Sequence, residues 1–181
     1  MKLFTPIFLL SSAFTSYGQD LISALTPYPQ LSQFVSLLHE HPEYLSIICN
    51  SSSNLTVLAS TNDAFISYEL ATGQSIHSLN GTEVLNILLY QTFNESYFLT
   101  DYEVPGGTLA ATLLTNETYD QRKTPSAGQK PGQVVYISNR NYSVVSRQLS
   151  TSFVESGIGR QITVGPFEGV FTQGIFQVAD G

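Results

Sequence analysis

Thr56-Val57-Leu58-Ala59-Ser60-Thr61-Asn62-Asp63-Ala64-Phe65 joins two patterns in ten residues. With the preceding Leu55, Val57 and Ala59 alternate against Thr56 and Leu58, a run of the length a buried strand needs. Thr61 and Asn62 carry side-chain oxygens that accept backbone N–H bonds, so the pair can cap a helix starting there. Asp63 in a first turn suits the positive end of the helix dipole. Ala64 and Phe65 open an apolar face. The stretch therefore predicts a strand that turns directly into a helix. Thr61, Asn62 and Asp63 are expected to be structural, and Phe65 to lie in the core. An ordinary strand–helix corner reads the same way.

Outward from this corner, the chain divides into helices first and strands later. Leu31, Phe34, Val35 and Leu38 repeat at helical spacing. Pro42 ends that helix and opens another, with Tyr44, Leu45 and Ile48 on its inner side. Residues 71–80 predict a loop with a helical turn. Asn80 and Glu83 have the spacing of a capping box ahead of Val84, Leu85, Leu88 and Leu89. Asn80 also opens a glycosylation sequon, so one of the two roles is expected to yield. Past the turn Val104-Pro105-Gly106-Gly107 the period becomes two, and strands are expected at 108–114, 133–138, 141–146, 161–164, 169–172 and 174–178. That order fits the α+β class: β-sandwich-like sheets flanked by N-terminal helices.

The 181 residues are 42% apolar and 12% charged, enough for one domain with its own core. Residues 1–18 stand apart. Lys2 gives a positive start, Leu3 to Leu10 are mostly apolar, and Ser16 and Gly18 are small residues at a cleavage position. A signal peptide over 1–18 and a single domain over 19–181 are expected, and a reading as one module of a longer protein stays open. The leader is too short for a membrane anchor, and no later stretch is long enough to span. Six sequons begin at Asn50, Asn54, Asn80, Asn94, Asn116 and Asn141. Asn54 is the weakest, because it abuts the buried strand. Cys49 is the only cysteine, so stability must come from packing, and after Ile47 and Ile48 it is expected to be buried.

Without Lys2 the chain holds six basic against 14 acidic residues, a balance that disfavours nucleic acid and anionic membranes. Three of the six, Arg122, Lys123 and Lys130, fall in the polar segment 116–132 with Pro125 and Pro131. That loop is the candidate partner-binding site, where an acidic polysaccharide or protein would be drawn. A solvated spacer fits equally. His39 and His41 are two apart, so on a helix they point away from each other and cannot share a metal ion. Neither a nucleophile elbow, nor a zincin motif, nor a phosphate-binding loop is present. No enzyme activity and no cofactor are expected.

The opening stretch resembles the first signature box of the fasciclin domain family, an apolar strand followed by Ala-Pro-Thr-Asn-x-Ala-Phe. Thr61, Asn62, Ala64 and Phe65 match, and Ser60 stands in the place of Pro. Gly174-Ile175-Phe176-Gln177-Val178-Ala179-Asp180 resembles the second box, Asn-Gly-Val-Ile-His-Val-Ile-Asp, with Gln173 for Asn, Gln177 for His and Ala179 for Ile. Leu88-Leu89-Tyr90-Gln91 sits where the family has Leu-Leu-x-Tyr-His, a pair linked to adhesion; here Gln91 replaces the His, and Tyr90 is expected at the core or its edge. The resemblance implies the fasciclin fold and a secreted, N-glycosylated domain acting at the cell surface, matrix or cell wall. It also implies an extracellular protein or glycan partner and a monomer or weak self-association. The second reading is a polysaccharide- or small-ligand-binding carrier module, with its cleft between helices and sheet.

Overall fold

The computed structural model describes residues 19–52, 54–103, 105–116, 118, 130–144, 147–156 and 161–180. The expected leader and most of the 116–132 loop, with Arg122 and Lys123, lie outside the described residues. Helices α1 (Leu21–Leu25), α2 (Ser32–Glu40) and α3 (Pro42–Cys49) precede strand β1 (Leu55–Ser60). Helix α4 (Asn62–Thr72), a 3-10 turn at Ile76–Ser78, helix α5 (Gly81–Tyr90) and the two-residue strand β2 (Thr92–Phe93) follow. The rest is strand: β3 (Thr108–Ala111), β4 (Val134–Val144), β5 (Arg147–Glu155), β6 (Gln161–Phe171) and β7 (Gly174–Asp180).

All seven strands form one sheet in the order β2-β1-β7-β6-β5-β4-β3. Its two ends meet. Phe93 bridges Thr112, the Asn94 N–H donates to Ala111 O at 2.8 Å, and the Leu113 N–H donates to Thr92 O at 2.8 Å. What the sequence suggests as sandwiched sheets is thus a single sheet curled almost into a barrel, with the helices against one flank. Strand β5 was not among the expected strands: Arg147-Gln148-Leu149-Ser150-Thr151-Ser152 is too polar to signal one. It forms by nine-residue antiparallel pairing with β4, from Tyr136↔Glu155 to Val144↔Arg147.

The alternation in β1 divides its side chains between two cores. Leu55, Val57 and Ala59 pack with Leu25, Phe34, Leu38, Val84 and Leu88 in the helix–sheet core. Leu58 packs with Phe93, Tyr102, Ile137 and Val154 inside the barrel. Both faces of the strand are therefore buried, which is why it reads as nearly continuous apolar sequence. Strand β7 runs parallel to β1 from Leu55↔Gly174 to Ser60↔Ala179, so the two boxes lie side by side. It follows the same division. Phe176 and Val178 face the helices, while Ala179 and Gln177 face the barrel, where the Tyr102 hydroxyl donates to Gln177 Oε1 at 2.6 Å and Gln177 Nε2 donates to Tyr97 O at 2.7 Å. Gly174 is required at the start of β7, because a Cβ there would lie 2.0 Å from Leu55 O.

Phe65 is buried, 8% exposed, in the helix–sheet core. Tyr44 is fully buried, and its hydroxyl is 2.7 Å from Thr92 Oγ1. Cys49 corrects the expectation for it: it is exposed. It is the last residue of α3, where the buried positions are Tyr44 and Ile48, and the next position round the helix turns away from that face.

Candidate functional site

The β1–α4 corner holds a hydrogen-bond hub. Thr61 is the N-cap of α4: its Oγ1 accepts from the Ala64 N–H at 3.3 Å and donates to Asp180 Oδ1 at 2.7 Å. One hydroxyl thus caps the helix and ties box one to box two. Asn62 does not cap its own helix. Its Oδ1 accepts from the Gln33 N–H at 3.0 Å, and its Nδ2 donates to Pro29 O at 3.1 Å and to Ser32 Oγ at 3.1 Å. Helix α2 has Leu31 at its N-cap, a side chain with nothing to offer. Asn62 supplies that missing cap from another helix. Asp63 is the acidic residue in the first turn of α4, as expected.

Two departures from the family boxes meet at this same end of β1. Gln91 Nε2 donates to Ser60 Oγ at 3.0 Å. A proline at 60 could not accept that bond, so the serine and the glutamine suit each other.

Beside this pair, between α4 and α5, runs a cleft of about 440 Å³, within the usual range for small-ligand sites. Tyr68, Leu79, Ile87, Tyr90 and Leu114 give it apolar and aromatic walls. Glu83, Asn86 and Tyr90 follow one another along its α5 side at helical spacing. The Asn86 Nδ2 is buried without a hydrogen-bond partner; an unpaired buried donor costs about 1–3 kcal/mol. Burial pushes the Tyr90 hydroxyl pKa upward, so it remains a neutral donor. Asn86 was not singled out from sequence, although the signal is there: it is the polar interruption in Val84-Leu85-Asn86-Ile87-Leu88-Leu89. A second cleft, about 450 Å³, opens beside the hub and is lined by Thr61, Asp63, Phe167, Val178 and Asp180. Every polar group of Asn62 that reaches its wall is already paired.

Of the predicted binding cations, only Lys130 is described. Its Nζ donates to Asn94 O and lies 3.4 Å from Glu95 Oε1, so it fastens the segment to the barrel rim. The Asn50, Asn54, Asn80 and Asn116 side chains are exposed, and Asn94 is half-buried; the Asn141 side chain lies outside the described residues. At Asn80 the expected conflict dissolves. The cap uses Oδ1, which accepts from the Glu83 N–H at 3.0 Å, whereas a glycan would occupy Nδ2. The histidines meet carboxylates: His77 Nδ1 is 2.9 Å from Glu40 and His41 Nδ1 is 2.9 Å from Glu43. These contacts hold both glutamates below the usual carboxylate pKa. Among the described residues no three His, Cys, Asp or Glu side chains gather as a metal site, and no helix is long and apolar enough to cross a membrane.

No protein-family model matches the chain, and neither does any curated protein. A solved structure does: a FAS1 domain pair from the insect cell adhesion molecule fasciclin I, with a TM-score of 0.57 and 17% sequence identity. The match takes in 83% of this chain and 44% of that one, so the chain spans less than half the length of the structure it resembles. At that identity the likeness speaks for the fold, and the side-by-side pairing of the two boxes in β1 and β7 is a feature of this chain's own sheet. On both grounds the chain has the fold of a fasciclin-like domain.

Proposed function

We propose that the domain is a secreted, N-glycosylated adhesion module that binds an extracellular protein or glycan of the matrix or cell wall. The observation that carries this reading is the fasciclin-like fold, which the chain has in common with part of a cell adhesion molecule. The leader-like residues 1–18 and the six sequons support secretion, and four of the sequon asparagines are exposed. Binding rests on surface contacts and needs no cofactor or catalytic group. Recognition is assigned to the loop carrying Arg122 and Lys123, with Lys130 as its anchor on Glu95 and Asn94. On an acidic chain these two cations draw an acidic partner.

The test is expression from Met1 in a eukaryotic secretory host. The protein is expected in the medium, beginning within a few residues of Gln19, with a mass that falls on enzymatic deglycosylation. Coated on a surface, it is expected to hold cells or matrix polysaccharide. The double variant Arg122→Ser and Lys123→Ser should bind less and depend less on salt. Retention inside the cell without glycans would overturn the reading of the domain as secreted; unchanged adhesion and salt dependence in the double variant would overturn the loop assignment.

A further inference from the structure

We propose that the mature chain begins with a pyroglutamate: Gln19, its amine freed when the leader is removed, closes on its own side chain into a neutral lactam that Thr172 holds against the sheet. The inference rests on the reading of residues 1–18 as a secretory leader.

Sequence and structure bound the terminus from opposite sides. Ser16 and Gly18 are the small residues that place the cut ahead of Gln19. The folded body needs the chain from that same residue. The Gln19 main-chain oxygen accepts from the Thr172 N–H at 2.9 Å and from Thr172 Oγ1 at 3.1 Å. Asp20 is the N-cap of α1 and accepts from the Ser23 N–H at 2.9 Å and from Ser23 Oγ at 2.7 Å. Leu21 is buried in the helix–sheet core. A cut after Gln19 would remove the partner of Thr172, and a cut after Asp20 would remove the helix cap as well. A terminus at Gln19 is the shortest that keeps both.

A terminal glutamine reaches its own Cδ in a five-membered ring. The amine lone pair attacks Cδ and a new C–N bond forms. The Cδ–Nε2 bond breaks, the amine's proton passes to the departing nitrogen, and ammonia leaves. The step is intramolecular and needs no oxidant or second reactant. A terminal amine has a pKa of about 8, so part of it is unprotonated and nucleophilic near neutral pH. Gln19 is exposed. The bond that closure sacrifices, from Nε2 to Ser23 O at 2.6 Å, is exposed too, so giving it up slows the reaction by no more than about tenfold. Thr172 holds the main-chain oxygen, an atom the reaction leaves in place, so the clamp survives. A lactam offers an aminopeptidase no primary amine, and the carbonyl of the first peptide bond is the one Thr172 holds. The end is thereby closed to the trimming that would strip Gln19 and then Asp20.

The test is N-terminal analysis of the full chain, expressed from Met1 in a eukaryotic secretory host, purified from the medium and kept for several days at neutral pH. The first peptide should begin at Gln19, be lighter than its sequence by one ammonia and resist stepwise amine-directed degradation. Pyroglutamyl peptidase should unblock it quickly after denaturation and at least tenfold more slowly in the folded protein. Gln19→Asn, whose closure would need a strained four-membered ring, should keep a free amine, with the melting midpoint unchanged because the main-chain clamp remains. A secreted, glycosylated chain that keeps a free amine on Gln19 would overturn the proposal and leave the reading as a secreted domain standing. Equally fast unblocking of the folded and denatured chains would overturn the clamp. A terminus at another residue, or retention of the chain inside the cell, would overturn the proposal together with the leader boundary it rests on.

Discussion

Replacing Asn62 with alanine removes a cap that works across the fold. The side chain makes three bonds to the start of α2: one from the Gln33 N–H at 3.0 Å, one to Pro29 O at 3.1 Å and one to Ser32 Oγ at 3.1 Å. The first is part-buried and the others are exposed, so the net values fall in the lower half of the range of about 0.5–1.5 kcal/mol per bond. Losing the Gln33 partner also orphans a first-turn N–H of a helix whose own N-cap residue is Leu31. Together these give about 1.5–3 kcal/mol. For a domain of this size that is a fall of about 4–10 °C in the melting midpoint. Asn62→Asp keeps the acceptor for Gln33 and loses both donors, so it should fall between alanine and the parent. The assay is thermal unfolding by circular dichroism near neutral pH, with adhesion measured in parallel. A midpoint within about 1 °C of the parent for Asn62→Ala would refute the cross-helix cap. Lost adhesion at unchanged stability would show that Asn62 meets a partner.

Phe65→Ala should cost about 3–5 kcal/mol, enough to threaten a domain with no disulfide; a cooperatively melting variant with a near-parental midpoint would refute its place in the core. At high pH the buried tyrosines decide stability. Burial pushes the Tyr44 and Tyr102 hydroxyls upward, and burial with the Glu95 charge pushes Tyr97 up to about 12 from 10.0. A raised folded pKa means the linked stability is whole below the unfolded value and is lost as pH rises through the folded one. The midpoint should therefore hold to about pH 10 and then fall, with the tyrosinate absorbance of the buried rings appearing together with unfolding. Early ionisation of Tyr44, Tyr97 and Tyr102 in a still-folded protein would contradict this.

The sequence by itself determined the local decisions. The β1 alternation, the polar corner at 61–63, the Asn80–Glu83 box and the helical repeat of α2 are each decided by neighbours within a turn or two. Short-range rules therefore located them. Phe65 in the core was legible for the same reason. The tertiary structure decided what depends on distant partners. Strand β5 is a strand because β4 lies beside it, not because its polar sequence prefers one. The curl that brings Phe93 to Thr112 is set by the twist and register of seven strands. Thr61 caps α4 and Asn62 caps α2 because β7 and α2 arrive on opposite sides of one corner. Cys49 is exposed because α3 turns its Tyr44 and Ile48 face inward, a rotation that adjacent isoleucines do not reveal. Contacts between residues far apart in the chain depend on packing rather than on propensity, and the sequence carries that information only in the sum of its interactions.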